Sequence, residues 1–547
     1  MKIHRVLLFF TCIFAVAIVQ AQQTPPQSGT IPRMNAEKWR EDLRFLAERL
    51  PATHKNAFHK MTKADFESAV RSLDQRIPSL ADHEVVVELM RIVAMVGDGH
   101  TGVLSAPFLL APGVYPIQFY MFEDGLYVLK ASSDLAAING GKVVLIDGVP
   151  AAEIFRRVSD IVWRDNEQGI KDIGCWLLSS PRVLHALKVA KSIDKAEIVV
   201  LKDGAERTAE IRATAKPADL RNGSEALVDS RDGKILRPLW LKDPTNNFWL
   251  EHVQETKTLF VQFNAVQNKS NETVEAFFNR VFEYVEKTPT VEKLVIDLRM
   301  NGGGNNYLNL PLTLGAIKSR LNTKGHFFVI IGRETFSAAQ NTVNELEKYT
   351  NAIFVGEPTA ASPNHYGDAG PIELPNSKLQ IRASTLWWQD ADPRDTRKWK
   401  APDVAADLTS DAYQNGRDPA MEAIVNYKPA MSFDTILADA RATLDIATFA
   451  RRLREFKANP AHRYFELETR VNNAGYFLLN QNRVDEAIEV FKLNVELHPT
   501  SANACDSLGE AFLKKGDKAN ALTNYRRALE LDPKMQTAVE AVRTLTR

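Results

Sequence analysis

Residues 335–368, "TFSAAQNTVNELEKYTNAIFVGEPTAASPNHYGD", set a serine at the mouth of a helix and end on a glycine-bounded acidic loop. Just upstream, "HFFVIIG" (326–332) is a continuous apolar run rich in β-branched and aromatic residues, the pattern of a fully buried strand. Downstream, Ala339, Val343, Leu346 and Tyr349 recur at helical spacing. Ser337 therefore sits where a buried strand turns into a helix. Serine is favoured there as a cap, because its hydroxyl satisfies an orphan amide of the first turn. The same position suits a nucleophile, since free amides and the helix dipole stabilise negative charge on a reacting oxygen. A base and an oxyanion site elsewhere have to decide between the two roles.

Working outward, "TLFVQFN", "VEAFFNRVFEYVEK", "KLVIDLR" and "AIFVG" alternate apolar strands with helical stretches across about 250–408. This predicts an α/β layer structure with parallel strands, and function at their carboxyl ends. One of those strands runs into "MNGGGNN" (300–306), where glycines let the backbone bend sharply and bring amides close to a ligand. The turn lacks the GxGxxG fingerprint, so nucleotide binding is poorly supported. Far upstream, "MVGDGHTGV" (95–103) places His100, one of eleven histidines, in a tight setting that would fix the direction of its ring.

The rest of the chain bounds the class. The 547 residues are 45% hydrophobic, enough for several cores, and Lys+Arg equals Asp+Glu at 68 each. No long basic run follows nucleic acid or anionic lipid, so a nucleic-acid partner is not expected. "MKIHRVLLFFTCIFAVAIVQAQQ" has the basic start, apolar run and small residues of a signal peptide over 1–21. Export to the periplasm or beyond is expected, with no membrane span in the mature chain. Residues 22–35 form a Pro- and Gln-containing linker, 36–105 a helical cap, and 106–215 a β-rich unit of degenerate PDZ-like character. A connector (216–249) precedes the α/β core (250–430) and a helical linker (431–465). Over 466–547, Gly475, Ala487, Phe491 and Pro499 recur 34 residues on as Gly509, Ala521, Tyr525 and Pro533, the period of tetratricopeptide repeats and a surface for a protein partner. "AVEAVRTLTR" and helices from 433–460 are expected to cover the two ends of the repeats. Cys175 and Cys505 are too far apart in sequence to suggest a disulfide framework.

GDGHT, IDLRMNGGG, TFSAAQ and FVGEPT, in this order, resemble the S41 serine peptidases, the tail-specific or C-terminal-processing proteases and their tricorn-like relatives. The resemblance spans roughly 36–408. It implies a multidomain α/β protein with a crotonase-like (ClpP/crotonase-type) core, a helical cap and an inserted PDZ-like domain, here followed by α-helical repeats. It implies Ser337 as nucleophile and amides of the Gly302, Gly303, Gly304 turn and Ala338 as oxyanion hole. The Lys-dependent branch carries its lysine 25 residues after the serine, where this chain has Ser362. The His-dependent branch takes its base from the segment matching GDGHT, so that role falls on His100, with His365 of "SPNHYGD" next in line. The orienting acid is sought in "DADPRDTRKWKAPDV" (390–404), with Asp395 first and Asp392 second. Asp98, Asp297 and Glu357 are read as structural. The expected activity is that of an exported serine endopeptidase acting on polypeptides, with neither metal nor organic cofactor. Ser337 is expected both to cap its helix and to react, and a histidine base ordinarily places the acid limb of activity between about pH 5 and 8. Two alternatives stand beside it: an inactive peptide-binding scaffold of the same fold, and an esterase or amidase, which lacks the G-x-S-x-G elbow.

Overall fold

In a computed structural model, residues 34–103, 113–214, 227–231, 237–429, 431–443 and 445–546 are described; the signal-peptide reading falls outside them. Among these residues no helix is long and apolar enough to cross a membrane.

The six-stranded sheet that carries the site has the order Val404–Ala405, Ile353–Gly356, Phe327–Ile331, Lys293–Asp297, Thr258–Phe263, Phe248–Val253. Its first five strands are parallel and the sixth antiparallel. The unbroken apolar runs have a simple cause: both faces are covered. Leu294, Ile296, Phe327, Val329 and Ile331 pack against the helices Val274–Lys287, Leu310–Lys318 and Ala338–Tyr349. Val295, Phe328, Ile330 and Val355 turn the other way, onto the helix Pro419–Val425. A strand buried on both sides has no polar face to alternate with.

A second, seven-stranded sheet follows the path Ile117–Phe122, Gly125–Ala131, Lys142–Ile146, Lys195–Lys202, Ala205–Arg212, with two short strands off it, Val149–Pro150 and Val228–Asp229. Its inner face shares one hydrophobic cluster with the N-terminal helices Ala36–Thr53, Lys63–Arg76 and Asp82–Ala94. A third sheet joins Gly102–Val103 to the hairpin Asn364–Glu373 and Gln380–Gln389, all antiparallel. It adds Ile372, Leu374, Ile381 and Ala383 to that same cluster. The His100 segment is thereby stitched, through Gly102, to a hairpin that lies 280 residues away in the register Gly102↔Arg382.

Two buried ion networks lock the strand ends. Arg333 forks onto Glu357 at 2.9 and 2.7 Å and donates to Met121 O at 2.6 Å, joining the six-stranded sheet to the seven-stranded one. Arg299 grips Asp297 and, at 3.0 and 2.9 Å, Asp418, whose oxygens also cap the helix Pro419–Val425. Asp297 and Glu357 are thus the strand-end and loop anchors that their positions suggest.

The C-terminal helices Leu467–Asn480, Val484–Leu497, Ala502–Lys515, Lys518–Leu531 and Gln536–Leu545 follow the 34-residue period for a packing reason. A Cβ on Gly475 would stand 2.6 Å from the Phe491 ring, and one on Gly509 would stand 3.0 Å from Tyr525, the same helix–helix contact one repeat later. Helices Phe433–Thr443 and Ile446–Ala458 share a core with Leu467, Val471 and Leu493, so they pack with the first repeat. The tail meets the α/β layers where Tyr464 and Arg463 donate to Asp407, Arg463 also reaching Glu123. Cys175 and Cys505 are free, buried thiols in different clusters.

Arg299→Ala leaves Asp297 and Asp418 without their shared cation. Breaking a buried pair in this way costs about 3–5 kcal/mol. Urea unfolding should show that loss as a lower midpoint; an unchanged midpoint would mean that the network contributes nothing to stability.

Candidate active site

Parallel strands deliver three turns to one end of the six-stranded sheet. Lys293–Asp297 leads into the glycine turn, Phe327–Ile331 into Ser337, and Ile353–Gly356 into the GEPT loop. The carboxyl ends of parallel strands are where such sheets place their chemistry.

Ser337 stands immediately before the twelve-residue helix Ala338–Tyr349, at φ 55°, ψ −127°, and its side chain makes no capping hydrogen bond. The expectation that this serine caps its helix is therefore wrong. Its Oγ lies instead 2.9 Å from His100 Nε2, across 237 residues of sequence. A non-glycine residue at positive φ costs about 1–3 kcal/mol and persists only where its surroundings over-determine it. The surroundings here are specific: Phe336 N–H donates to Asn301 O at 3.1 Å, and Ala360 N–H to Thr335 O at 3.0 Å, pinning the turn on both sides.

The glycine turn presses directly on this serine. Gly303 is at φ 104°, and a Cβ there would stand 2.6 Å from Ser337 Cβ and 2.9 Å from Ala338 N. Only glycine fits. The Gly303 N–H, however, donates to Asn301 Oδ1 at 2.9 Å, so its contribution is close approach rather than a free donor. Gly302 is exposed, with open space where a Cβ would be. Ala338 is the first residue of its helix, where an N–H has no carbonyl four residues back within the helix.

Asp98 fixes the loop that carries His100. Its Oδ1 accepts from His100 N–H at 2.8 Å, Thr101 N–H at 2.9 Å and Ser384 Oγ at 2.8 Å, while Oδ2 meets His54 Nε2 at 2.7 Å. Burial alone would raise this carboxyl, but the hydrogen bonds from His54, Thr101 and Ser384 outweigh it and hold it below the usual range. Behind the same loop, Asp165 Oδ1 accepts Gly99 N–H at 2.7 Å. Burial, reinforced by the Asp98 charge, pushes the Asp165 carboxyl up to about 7. Neither His54 nor Asp165 stands out in the sequence. Both lie far from the motifs, and only the fold brings them to the loop.

The ring of His100 is held by stacking. Phe336 lies 4.4 Å from it at 28° and His365 lies 5.8 Å from it at 9°. Desolvation, and then the neighbouring His365, lower its pKa to about 3. His365 itself is buried and donates through Nδ1 to Ser362 O at 3.1 Å. Ser362, where the other branch would have its lysine, donates to Lys398 O at 3.0 Å.

The acids expected to orient His100 are engaged elsewhere. Asp395 receives Arg397 Nη2 at 2.7 Å, and Arg397 also forks onto Glu347 at 2.9 Å. Asp392 pairs with Arg394 at the surface. His100 Nδ1 is buried with no hydrogen-bond partner among the described residues. Within that acidic segment it is Asp390 that reaches the serine helix, accepting from Asn341 Nδ2, and its charge bears on His365. Asp390 is the first letter of that segment and, unlike Asp392 and Asp395, has no arginine two residues on.

This architecture recurs in known proteins. Mature CPAF complexed with lactacystin matches with a TM-score of 0.50 at 12% identity, over 72% of this chain and 99% of that one. A mutant of CPAF matches with 0.51 at 14%, over 72% and 99%. The chain shares the CPAF fold. A photosystem II D1 C-terminal processing protease matches with a TM-score of 0.34 at 14% identity, over 70% of this chain and 96% of that one. A tetratricopeptide-repeat family model matches residues 502–535, beyond the part that resembles a peptidase by its motifs. No curated protein matches the sequence.

A base must be neutral to accept a proton. With its pKa lowered to about 3, His100 is neutral throughout the range where an exposed histidine would titrate. Activity that depends on it should stay flat from about pH 8 to about pH 5, and its acid limb should lie well below the limb expected from sequence. The same burial contributes stability above the ordinary histidine value of 6.5, lost as pH falls from there towards the folded value. A pH–rate profile with a midpoint above pH 6 would contradict a desolvated His100.

Proposed function

We propose that the chain is an exported serine endopeptidase of the S41 type, with Ser337 as nucleophile and His100 as general base. The observation that carries this reading is the 2.9 Å contact between Ser337 Oγ and His100 Nε2, made by a serine that gives up capping and is held at positive φ. His100 Nε2 takes the hydroxyl proton as Oγ attacks a peptide carbonyl. The oxyanion forms against the Ala338 N–H and the exposed backbone beside Gly302, each donor worth on the order of 10²–10³ in rate. His100 then returns the proton to the leaving nitrogen. Water, deprotonated by the same histidine, hydrolyses the acyl-serine ester and regenerates both groups.

In this reading the six-stranded sheet is a crotonase-like core, the 106–215 unit is PDZ-like, and the tail recruits protein partners or substrates. The domain boundaries are those given above, and the leader over 1–21 directs export. The second reading, an inactive peptide-binding scaffold, draws on one observation: among the described residues no carboxylate meets His100 Nδ1. A fluorophosphonate probe separates the two, since only a reactive Ser337 is labelled.

Ser337→Ala should abolish peptide hydrolysis while the protein still folds, because Oγ makes no capping bond. His100→Ala should fall by a similar factor, about 10⁴–10⁶, and the double variant should be little worse than either single one. Substantial turnover by Ser337→Ala would rule out the nucleophile assigned here.

The tail is best removed ahead of Phe433, since a cut at 466 would split the core shared by Phe433, Phe449 and Leu467. Deleting 431–547 should leave short-peptide hydrolysis intact and change the choice of protein substrates. Loss of short-peptide turnover in the folded truncation would place the tail in the catalytic unit.

A further inference from the structure

Side chains of the hairpin Asn364–Glu373 and Gln380–Gln389 alternate between its two faces. Its register pairs His365 with Trp388 and Gly367 with Leu386, so these four share one face. Tyr366 and Trp387 share the other, where their rings lie 4.6 Å apart.

The first face is the one turned towards Ser337 and His100. His365 stacks on His100 there. A Cβ on Gly367 would stand 3.8 Å from His100 Cε1 and 2.9 Å from Trp388 Cδ1, so the indole and the edge of the histidine ring both border this glycine. The indole N–H is tied to Asp368 Oδ2 at 2.7 Å, which fixes its orientation. Leu386, 48% exposed, continues the apolar surface outwards. Neither Trp388 nor Leu386 belongs to any of the hydrophobic clusters that build the core. Large apolar side chains outside every core and beside a reactive pair have the character of a binding wall.

The chemistry says which part of a substrate this wall faces. His100 must hand its proton to the leaving nitrogen, so the surface beyond His100 runs along the leaving segment. We propose that Trp388 and Leu386 form the subsite for the residue that supplies the leaving nitrogen, and that this subsite selects a large apolar or aromatic side chain. The inference rests on the serine-peptidase reading and adds the substrate class.

The test uses the full chain and peptides that differ only at the leaving residue, read as the ratio of kcat/KM for Phe to that for Gly. A ratio cancels general losses of activity or folded fraction. Wild type should favour Phe by about tenfold or more. Trp388→Ala should bring the ratio close to one, Leu386→Ser should lower it, and Trp388→Phe should keep most of it. Peptides varied on the acyl side of the bond should show no comparable change in Trp388→Ala. An unchanged ratio in Trp388→Ala and Leu386→Ser, a wild type indifferent to the leaving residue, or a change confined to the acyl side would overturn the subsite alone. Wild type that cleaves none of the peptides and takes no fluorophosphonate at Ser337 would overturn the peptidase reading and the subsite with it.

Discussion

A single buried carboxylate, Asp98, gathers three pieces of chain at one point. Its two oxygens receive the imidazole of His54 from the first helix's exit, the hydroxyl of Ser384 from the hairpin, and the backbone amides of His100 and Thr101. Removing an ion from water costs several kcal/mol unless its lone pairs are filled, and here they are filled. The geometry of the histidine loop, and so the approach of His100 to Ser337, follows from this knot. The base is aimed through its backbone and by stacking, and among the described residues no carboxylate is bonded to its ring.

The parts of this arrangement that sequence discloses are those fixed locally. Strands such as Phe327–Ile331 are legible because burial on both faces demands an unbroken apolar run. Gly303 is legible because nothing larger fits against Ser337. The repeat is legible because Gly475 and Gly509 meet aromatic rings at a fixed spacing. What stays hidden depends on where side chains travel after the chain has folded. Asp395 and Asp392 stand two residues before arginines, and that local pairing consumes both. Asp390 has no arginine two residues on, and it is carried to the serine helix. His54 and Asp165 are invisible for the same reason, and the depth that lowers the His100 pKa is a property of packing alone.

Serine at a strand-to-helix turn is ambiguous because two uses of one hydroxyl compete. A cap needs extended backbone so that Oγ folds back on the first turn. At φ 55° the same hydroxyl points out of the helix instead. The backbone conformation therefore decides the role, and the glycine turn pressed against Ser337 makes that conformation tenable.

His100 and Ser337 arrive from segments 237 residues apart, one stitched to the three-stranded sheet and the other to the six-stranded one. No fragment that lacks either sheet can assemble the pair. Whatever chemistry the pair performs is consequently silent while the chain is still extended. It switches on only when the two layers dock. Topology alone gives this polypeptide a latent period, with no propeptide needed to impose it.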